Sequence, residues 1–264
     1  MTPVYDFVEG STPLLVSVPH DGCELAPGMT ERMTATGLAL PDTDWHVRRL
    51  YEFAPSLGAS VISANFSRYV IDLNRPSTDH ALYKGQLFTG LCPSKTFAGE
   101  TIYVNGEEVT QPEKNERIRK YWQPYHDKIR FELARLKNKF GFALLWDAHS
   151  IPSQVPSLFT GTLSVFNIGT VDGTSCDYRL TDKVRENANE SDYSVVVNGR
   201  FKGGYITRAY GKPFENVHAL QLEKAQRAYM DEDTLDYDES AAESFVECLE
   251  SLLSSYVRTA QTLF

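Results

Sequence analysis

The sequence predicts an α/β fold in which helices cover both faces of a mainly parallel sheet. Two observations predict it. The apolar runs LLVSV (14–18), FALLW (142–146) and VHALQL (217–222) are strand-sized and nearly continuous, as strands buried on both faces are. Segments of helical periodicity separate them, which is how parallel strands are connected. A chain of 264 residues with 42% hydrophobic and 23% charged composition suits one substantial core. We read residues 1–264 as a single domain with a long loop-rich insertion at about 76–111.

In chain order, 14–18 is a strand ended by Pro19, and it delivers His20. A helix is expected from Thr43 or Asp44, with Val47, Leu50, Tyr51 and Ala54 on one face and Pro55 and Gly58 closing it. Residues 59–64 form a second strand and 69–73 a third extended segment. From 78 to 109 Gly, Pro and polar residues replace periodicity, so loops are expected, with a hairpin at Asn105-Gly106. A helix over 112–140 shows Ile118, Trp122, Tyr125, Ile129, Leu133 and Leu136 on one face; Pro124 should kink or split it, and Gly141 stops it. The strand 142–146 then delivers Asp147 and His149. Further strands are expected at 162–168, 193–198 and 217–222, and helices at 176–188 and 239–259. The acidic run through 231–239 reads as a solvated face with some residues capping the last helix.

Bulk charge excludes some functions. With 26 Lys and Arg against 35 Asp and Glu the formal charge is −9, a field that repels phosphate backbones, so nucleic acid is not expected as a partner. A few arginines in a cleft would still admit an anionic substrate. Cys23, Cys92, Cys176 and Cys248 are far apart with no C-x-x-C pair, which argues against a disulfide framework or a thiolate zinc site. Every apolar stretch is strand-sized and the first residues lack a basic segment followed by a long apolar run. No membrane partner and a cytoplasmic location are therefore expected, while the oligomeric state is not encoded in any visible pattern.

Ligands of such sheets bind outside the carboxyl ends of the strands. His20 and His149 follow apolar runs and His218 lies near the start of one. A catalytic zinc takes three ligands from His, Asp and Glu and leaves a position for water. His20 and His149 are the natural nitrogen donors and Asp44 the best oxygen donor, with Asp147 a rival ligand or an orienting partner of His149. The plainer alternatives are ordinary hydrogen-bonding histidines and, for Asp44, a helix N-cap.

Particular motifs go further. Val18-Pro19-His20-Asp21-Gly22, Pro41-Asp42-Thr43-Asp44-Trp45-His46, the run from Ser67 through Arg68, Asp72, Asn74 and Arg75 to Pro76, Leu145-Trp146-Asp147-Ala148-His149-Ser150, and the stretch from Asn198 to Arg208 continued by Val217 to Glu223 stand in one order. Together they resemble the N-formylglutamate amidohydrolase (N-formylglutamate deformylase) family of histidine degradation, over about residues 14–235. The resemblance implies a three-layer αβα sandwich of the zinc-exopeptidase and zinc-amidase kind. It also implies metal-dependent hydrolysis of N-formyl-L-glutamate to formate and L-glutamate. His20, Asp44 and His149 would hold one divalent metal, zinc first among candidates, although other first-row metals suit the same donors. Glu223 would be the catalytic base, with Arg68 or His218 assisting the oxyanion. Arg75, Arg200 and Arg208 would bind substrate carboxylates, beside Asn74 and the small Gly204. Structural ion pairs, such as Arg68 or Arg75 with Asp72, are the alternative for these arginines. The His-x-x-Glu pattern of zinc carboxypeptidases is absent, since Glu24 stands four residues after His20, and Ala209 stands where the family usually carries His. Two other readings are a related deacylase or amidase on another N-acyl amino acid or small peptide, and a binding module for dicarboxylic amino acids.

Overall fold

In the computed structural model the described residues are 2–80 and 89–264, so part of the expected insertion, 81–88, lies outside them. The strands are β1 (Tyr5–Val8), β2 (Leu14–Val18), β3 (Ser60–Ala64), β4 (Ala143–Ile151), β5 (Phe166–Gly169), β6 (Val195–Val197) and β7 (Val217–Ala225). The helices are α1 (Ala35–Leu38), α2 (Val47–Leu50), α3 (Gln111–Arg117), α4 (Gln123–Phe140), α5 (Tyr178–Asn189), α6 (Tyr205–Tyr210) and α7 (Glu239–Leu263). The strands form one sheet in the order β1-β3-β2-β4-β7-β5-β6. Its centre, β3, β2, β4 and β7, is parallel; β1 and β5 pair antiparallel to it, and β6 follows β5 in parallel. The sheet is therefore mixed. The chain leaves β2 for β3 on one side and returns to β4 on the other, so the strand order reverses at β2 and a crevice opens at the carboxyl ends there.

Both faces are covered, which gives the three-layer αβα sandwich. One face packs Leu14, Val16, Trp146 and Leu220 against α2, α5 and α7. The other packs Leu15, Ile62, Leu145 and Ala219 against Tyr125, Ile129, Leu133 and Leu136 of α4. Each fully buried Leu or Ile contributes about 1.5–3 kcal/mol. Ser17, the one polar residue of β2, is buried but bonded to the Tyr125 hydroxyl at 3.1 Å, which offsets its desolvation.

Several boundaries differ from the sequence reading. The helix expected from Thr43 or Asp44 keeps only Val47–Leu50 in α form and is followed by a separate 3₁₀ turn over Ala54–Leu57. Asn105-Gly106 makes a turn, closed by Glu107 N–H to Val104 C=O at 2.9 Å, with no flanking ladder. The last strand runs to Ala225, so Glu223 lies inside it. The long helix is not broken at Pro124. Pro lacks the N–H that would bond the Lys120 carbonyl, and a π-turn over Ile118–Trp122 absorbs the mismatch between α3 and α4. Gly141, at φ 85°, then ends α4 with its N–H on Lys137 C=O at 2.8 Å. Asp238 caps α7 through Ser240 and Ala241 N–H, as the acidic run suggested.

Residues 69–73 are not a strand. Side chains take the carbonyls a ladder would use: Arg117 Nη1 donates to Val70 C=O at 2.8 Å and Tyr69 C=O at 3.2 Å, and His126 Nε2 to Leu73 C=O at 2.9 Å. His126 is fully buried, and burial pushes its imidazole down to about 3. Its folded pKa lies below the unfolded value near 6.5. The unfolded chain therefore gains a proton first on acidification, and stability present above pH 6.5 is lost below it. The melting temperature should fall from pH 6.5 to 4.5, with roughly 2–3 kcal/mol at stake from this group. A melt series on His126→Gln should show a shallower fall; an identical slope would assign the acid sensitivity elsewhere.

Candidate metal centre

On β4, residues 143, 145, 147 and 149 share one face. That face begins as Ala143 and Leu145 in the core and turns polar as Asp147 and His149 at the carboxyl end, with all nine residues of the strand buried. The same change occurs on β7, where Ala219 is followed by Gln221 and Glu223, and Glu223 stands across the parallel ladder from His149. His20 follows β2, one strand over. Asp44 lies in the turn before α2 with its N–H on His20 C=O at 3.1 Å, which ties the third residue to the first.

His20, Asp44 and His149 are all buried, and one donor atom from each lies within 4.8 Å of the others. His20 Nδ1 is 3.7 Å and His149 Nδ1 3.0 Å from Asp44 Oδ2. The opposite nitrogens are taken. His20 Nε2 is 2.8 Å from Asp72 Oδ1. His149 Nε2 lies 3.0 Å from Asn74 Nδ2 and 3.2 Å from Asp147 Oδ2, so the tautomer decides its partner. With Nδ1 given to a ligand the proton sits on Nε2 and goes to Asp147. Each imidazole is thus backed by a carboxylate, the arrangement that orients ligand histidines. His20 Nδ1 is buried with no hydrogen-bond partner. An orphaned nitrogen facing a carboxylate oxygen at a separation typical of two ligands on one ion fits a bound divalent metal.

The electrostatics agree with that fit. Asp42, Asp44, Asp72, Asp147 and Glu223 are all buried around this point, with the Arg68 guanidinium among them. Burial alone would raise Asp44, but the His149 and His20 imidazoles outweigh it and hold the carboxyl below the ordinary range. Burial would lower His149, yet Asp147 and Asp44 push it up to about 10. The cluster attracts a cation. Burial pushes Glu223 up to about 7, opposed by the neighbouring His149.

Other expected residues fall in different places. Arg68 is enclosed by acids, donating to Asp42 C=O at 3.0 Å and Asp72 Oδ2 at 3.1 Å, and sits 3.5 Å from Asp44 Oδ1. Asn74 supports the site from within the protein: its N–H bonds Asp72, its Oδ1 accepts from Ile206 N–H at 2.8 Å, and its Nδ2 faces His149. Gly204 packs on it; a Cβ there would stand 2.3 Å from Asn74 Nδ2, so the position needs glycine. Arg75 follows Asn74 and has its Nε buried without a hydrogen-bond partner. Arg208 donates to Gly203 C=O and Arg200 to Leu158 C=O. His218 is not brought to the cluster. It lies five residues from Glu223, about 16 Å along the strand, and on the opposite face, stacked on Phe264 at 4.5 Å between ring centroids. It therefore has no part in the mechanism below.

Sequence reasoning missed two supports. Asp72, which the sequence offers only as a partner for arginines, holds His20. Gln221 donates to Glu223 Oε2 at 3.2 Å and accepts from Gly204 N–H at 2.7 Å. Strand alternation could have found it, because residues two apart share a face.

Comparison with known proteins gives a consistent picture. A family model for N-formylglutamate amidohydrolase matches residues 12–230. The chain is 46% identical over 257 residues to an N-formylglutamate deformylase of Pseudomonas putida, covering 97% of this chain and 96% of the relative. It is 48% identical over 260 residues to one of Pseudomonas aeruginosa, covering 96% and 97%. Among solved structures, an N-formylglutamate amidohydrolase from Ralstonia eutropha JMP134 superposes with a TM-score of 0.82 at 27% identity, covering 98% of this chain and 97% of that one.

Proposed function

Because the chain belongs to the N-formylglutamate amidohydrolase family, we propose that it hydrolyses N-formyl-L-glutamate to formate and L-glutamate with one divalent metal, zinc first among candidates. The observation that carries the chemistry is the cluster of His20, Asp44 and His149 with Glu223 across the ladder. The full-length relatives support the substrate.

His20 Nδ1, His149 Nδ1 and an Asp44 carboxylate oxygen would hold the metal. When bound, it lowers the pKa of water to about 7 and polarises the formyl oxygen. Glu223 takes the proton of the attacking water and returns it to the glutamate nitrogen as the C–N bond breaks, a transfer worth on the order of 10² to 10⁴ in rate. Asp72 and Asp147 keep the two imidazoles oriented, and Gln221 holds the Glu223 carboxylate. Arg68 balances the buried carboxylates and supplies positive charge beside the developing oxyanion. Arg75, with Arg200 and Arg208, would receive the two substrate carboxylates, since guanidinium pairs with carboxylate in a fork and keeps its charge. Gly204 makes room for the Asn74 side chain, and so acts on the site through it.

We place the reaction in the cytoplasm, in histidine degradation. All four cysteines are free, which suits a reducing compartment. No helix of the described residues is long and apolar enough to cross a membrane.

Parallel kinetics test the substrate. N-formylglutamate should give the highest kcat/KM among itself, N-formylaspartate, N-acetylglutamate and N-formylmethionine. N-formylmethionine, which lacks the second carboxylate, should fall by at least about 10-fold, one charged hydrogen bond being worth about 1.5–3 kcal/mol. A better substrate within the panel would move the assignment to a deacylase of another N-acyl amino acid. Ligand binding with no turnover, indifferent to chelators, would make the chain a binding module.

A further inference from the structure

The segment 67–76 carries Asp72, Asn74 and Arg75, yet no ladder holds it. The carbonyls of Tyr69, Val70, Leu73 and Arg75 are bound instead by side chains of one helical rod, α3 to α4, while Asn74 C=O accepts from Tyr205 N–H and Asp72 N–H donates to Leu91 C=O. Arg117 donates to Tyr69 and Val70, Trp122 Nε1 to Arg75 C=O at 2.9 Å, and His126 to Leu73 C=O. Bonds from Trp122 and His126 therefore fall on the residues flanking Asn74. The two rings stack at 3.8 Å between centroids, and Tyr205 of α6 packs on both.

In a regular α-helix Arg117 and His126, nine residues apart, are separated by about 2.5 turns and face opposite ways. A π-turn takes in about one extra residue without advancing round the axis, which removes about 100° of that separation. Ile118–Trp122 is such a turn. We infer that this turn is a positioning device: it brings Arg117, Trp122 and His126 to one side of the rod, where they clamp the backbone that supports both ligand histidines. The clamp fixes Asp72 against His20 and holds Asn74 beside His149, its Oδ1 bound to Ile206 N–H. Trp122 and His126 are positioning residues, since neither touches the ligand atoms. The inference rests on the metal-dependent reading above.

Three variants test it: Trp122→Phe, which keeps a ring for the stack and removes the donor, His126→Phe, and His126→Gln, whose amide can still reach Leu73. Each is measured for zinc dissociation constant by competition with a chromophoric chelator, for kcat and KM on N-formylglutamate, and for melting of the metal-free protein. Trp122→Phe and His126→Phe should bind zinc about 3- to 10-fold more weakly and lose kcat by a similar factor, below the 10–100-fold seen when a ligand's own orienting partner is removed. His126→Gln should recover most of both. A folded Trp122→Phe with the parent's zinc affinity and kcat overturns the inference, whatever its melting temperature, and so does His126→Gln behaving like His126→Phe. If His126→Phe does not fold, Trp122→Phe decides. A parent that binds zinc but does not turn over N-formylglutamate defeats the proposed function, while the zinc affinities still decide the clamp.

Discussion

Glu223→Gln is expected to leave metal content near that of the parent and to lower kcat by at least about 10²-fold. The residue is 6% exposed, inside β7 and opposite His149. Its one side-chain hydrogen bond among the described residues comes from Gln221. A glutamine has the same shape, and its carbonyl can accept the same bond, so packing is preserved. What disappears is the group that takes a proton. Burial raises this carboxyl above the ordinary carboxylate range, which makes it a better proton acceptor. Elemental analysis with steady-state kinetics checks the result. Normal turnover would remove Glu223 from the reaction.

His149→Ala should strip the metal. It deletes one of the three proposed ligand atoms, and the loss in affinity should exceed the 10–100-fold typical of removing an orienting partner alone. Asp44, Asp147 and the Asn74 amide all lie within hydrogen-bonding range of this imidazole. Breaking such a buried pair costs about 3–5 kcal/mol, so the melting temperature should fall as well. Asp44 keeps a bond from Ser150 N–H at 3.1 Å, which helps hold the turn in place. Metal content measured after dialysis is the decisive quantity. Occupancy equal to the parent's would mean a different ligand set.

The legible parts of the fold were those fixed by local pattern. Continuous apolar runs marked β2, β4 and β7, because strands covered on both faces have no polar side to interrupt them. The wide apolar stripe marked α4, and Gly141 its end, since a left-handed cap needs no Cβ. Strand β1 was not seen, being a short edge strand with one face open and little composition to distinguish it. The segment 69–73 has the composition of a strand, but what a backbone bonds to depends on its neighbours, and here those are Arg117 and His126. The clash of Pro124 with a helix was visible; that a wider turn would resolve it was not.

The site divides in the same way. Residue type and position after buried strands brought forward His20, Asp44 and His149, and motif order supplied Glu223. Convergence was decided by topology: the reversal of strand order at β2 sets the ends of β2 and β4 side by side, residues 20 and 149 being remote in the chain. The removal of His218 from the site was likewise tertiary, as alternation and strand length put it on the far face at the other end of β7. Local sequence determines which segments fold and which side chains can donate to a metal, because propensity and burial act over a few residues. Which nitrogen faces the cation, and which carboxylate stands behind it, depends on contacts between distant segments, and only the packed structure sets those.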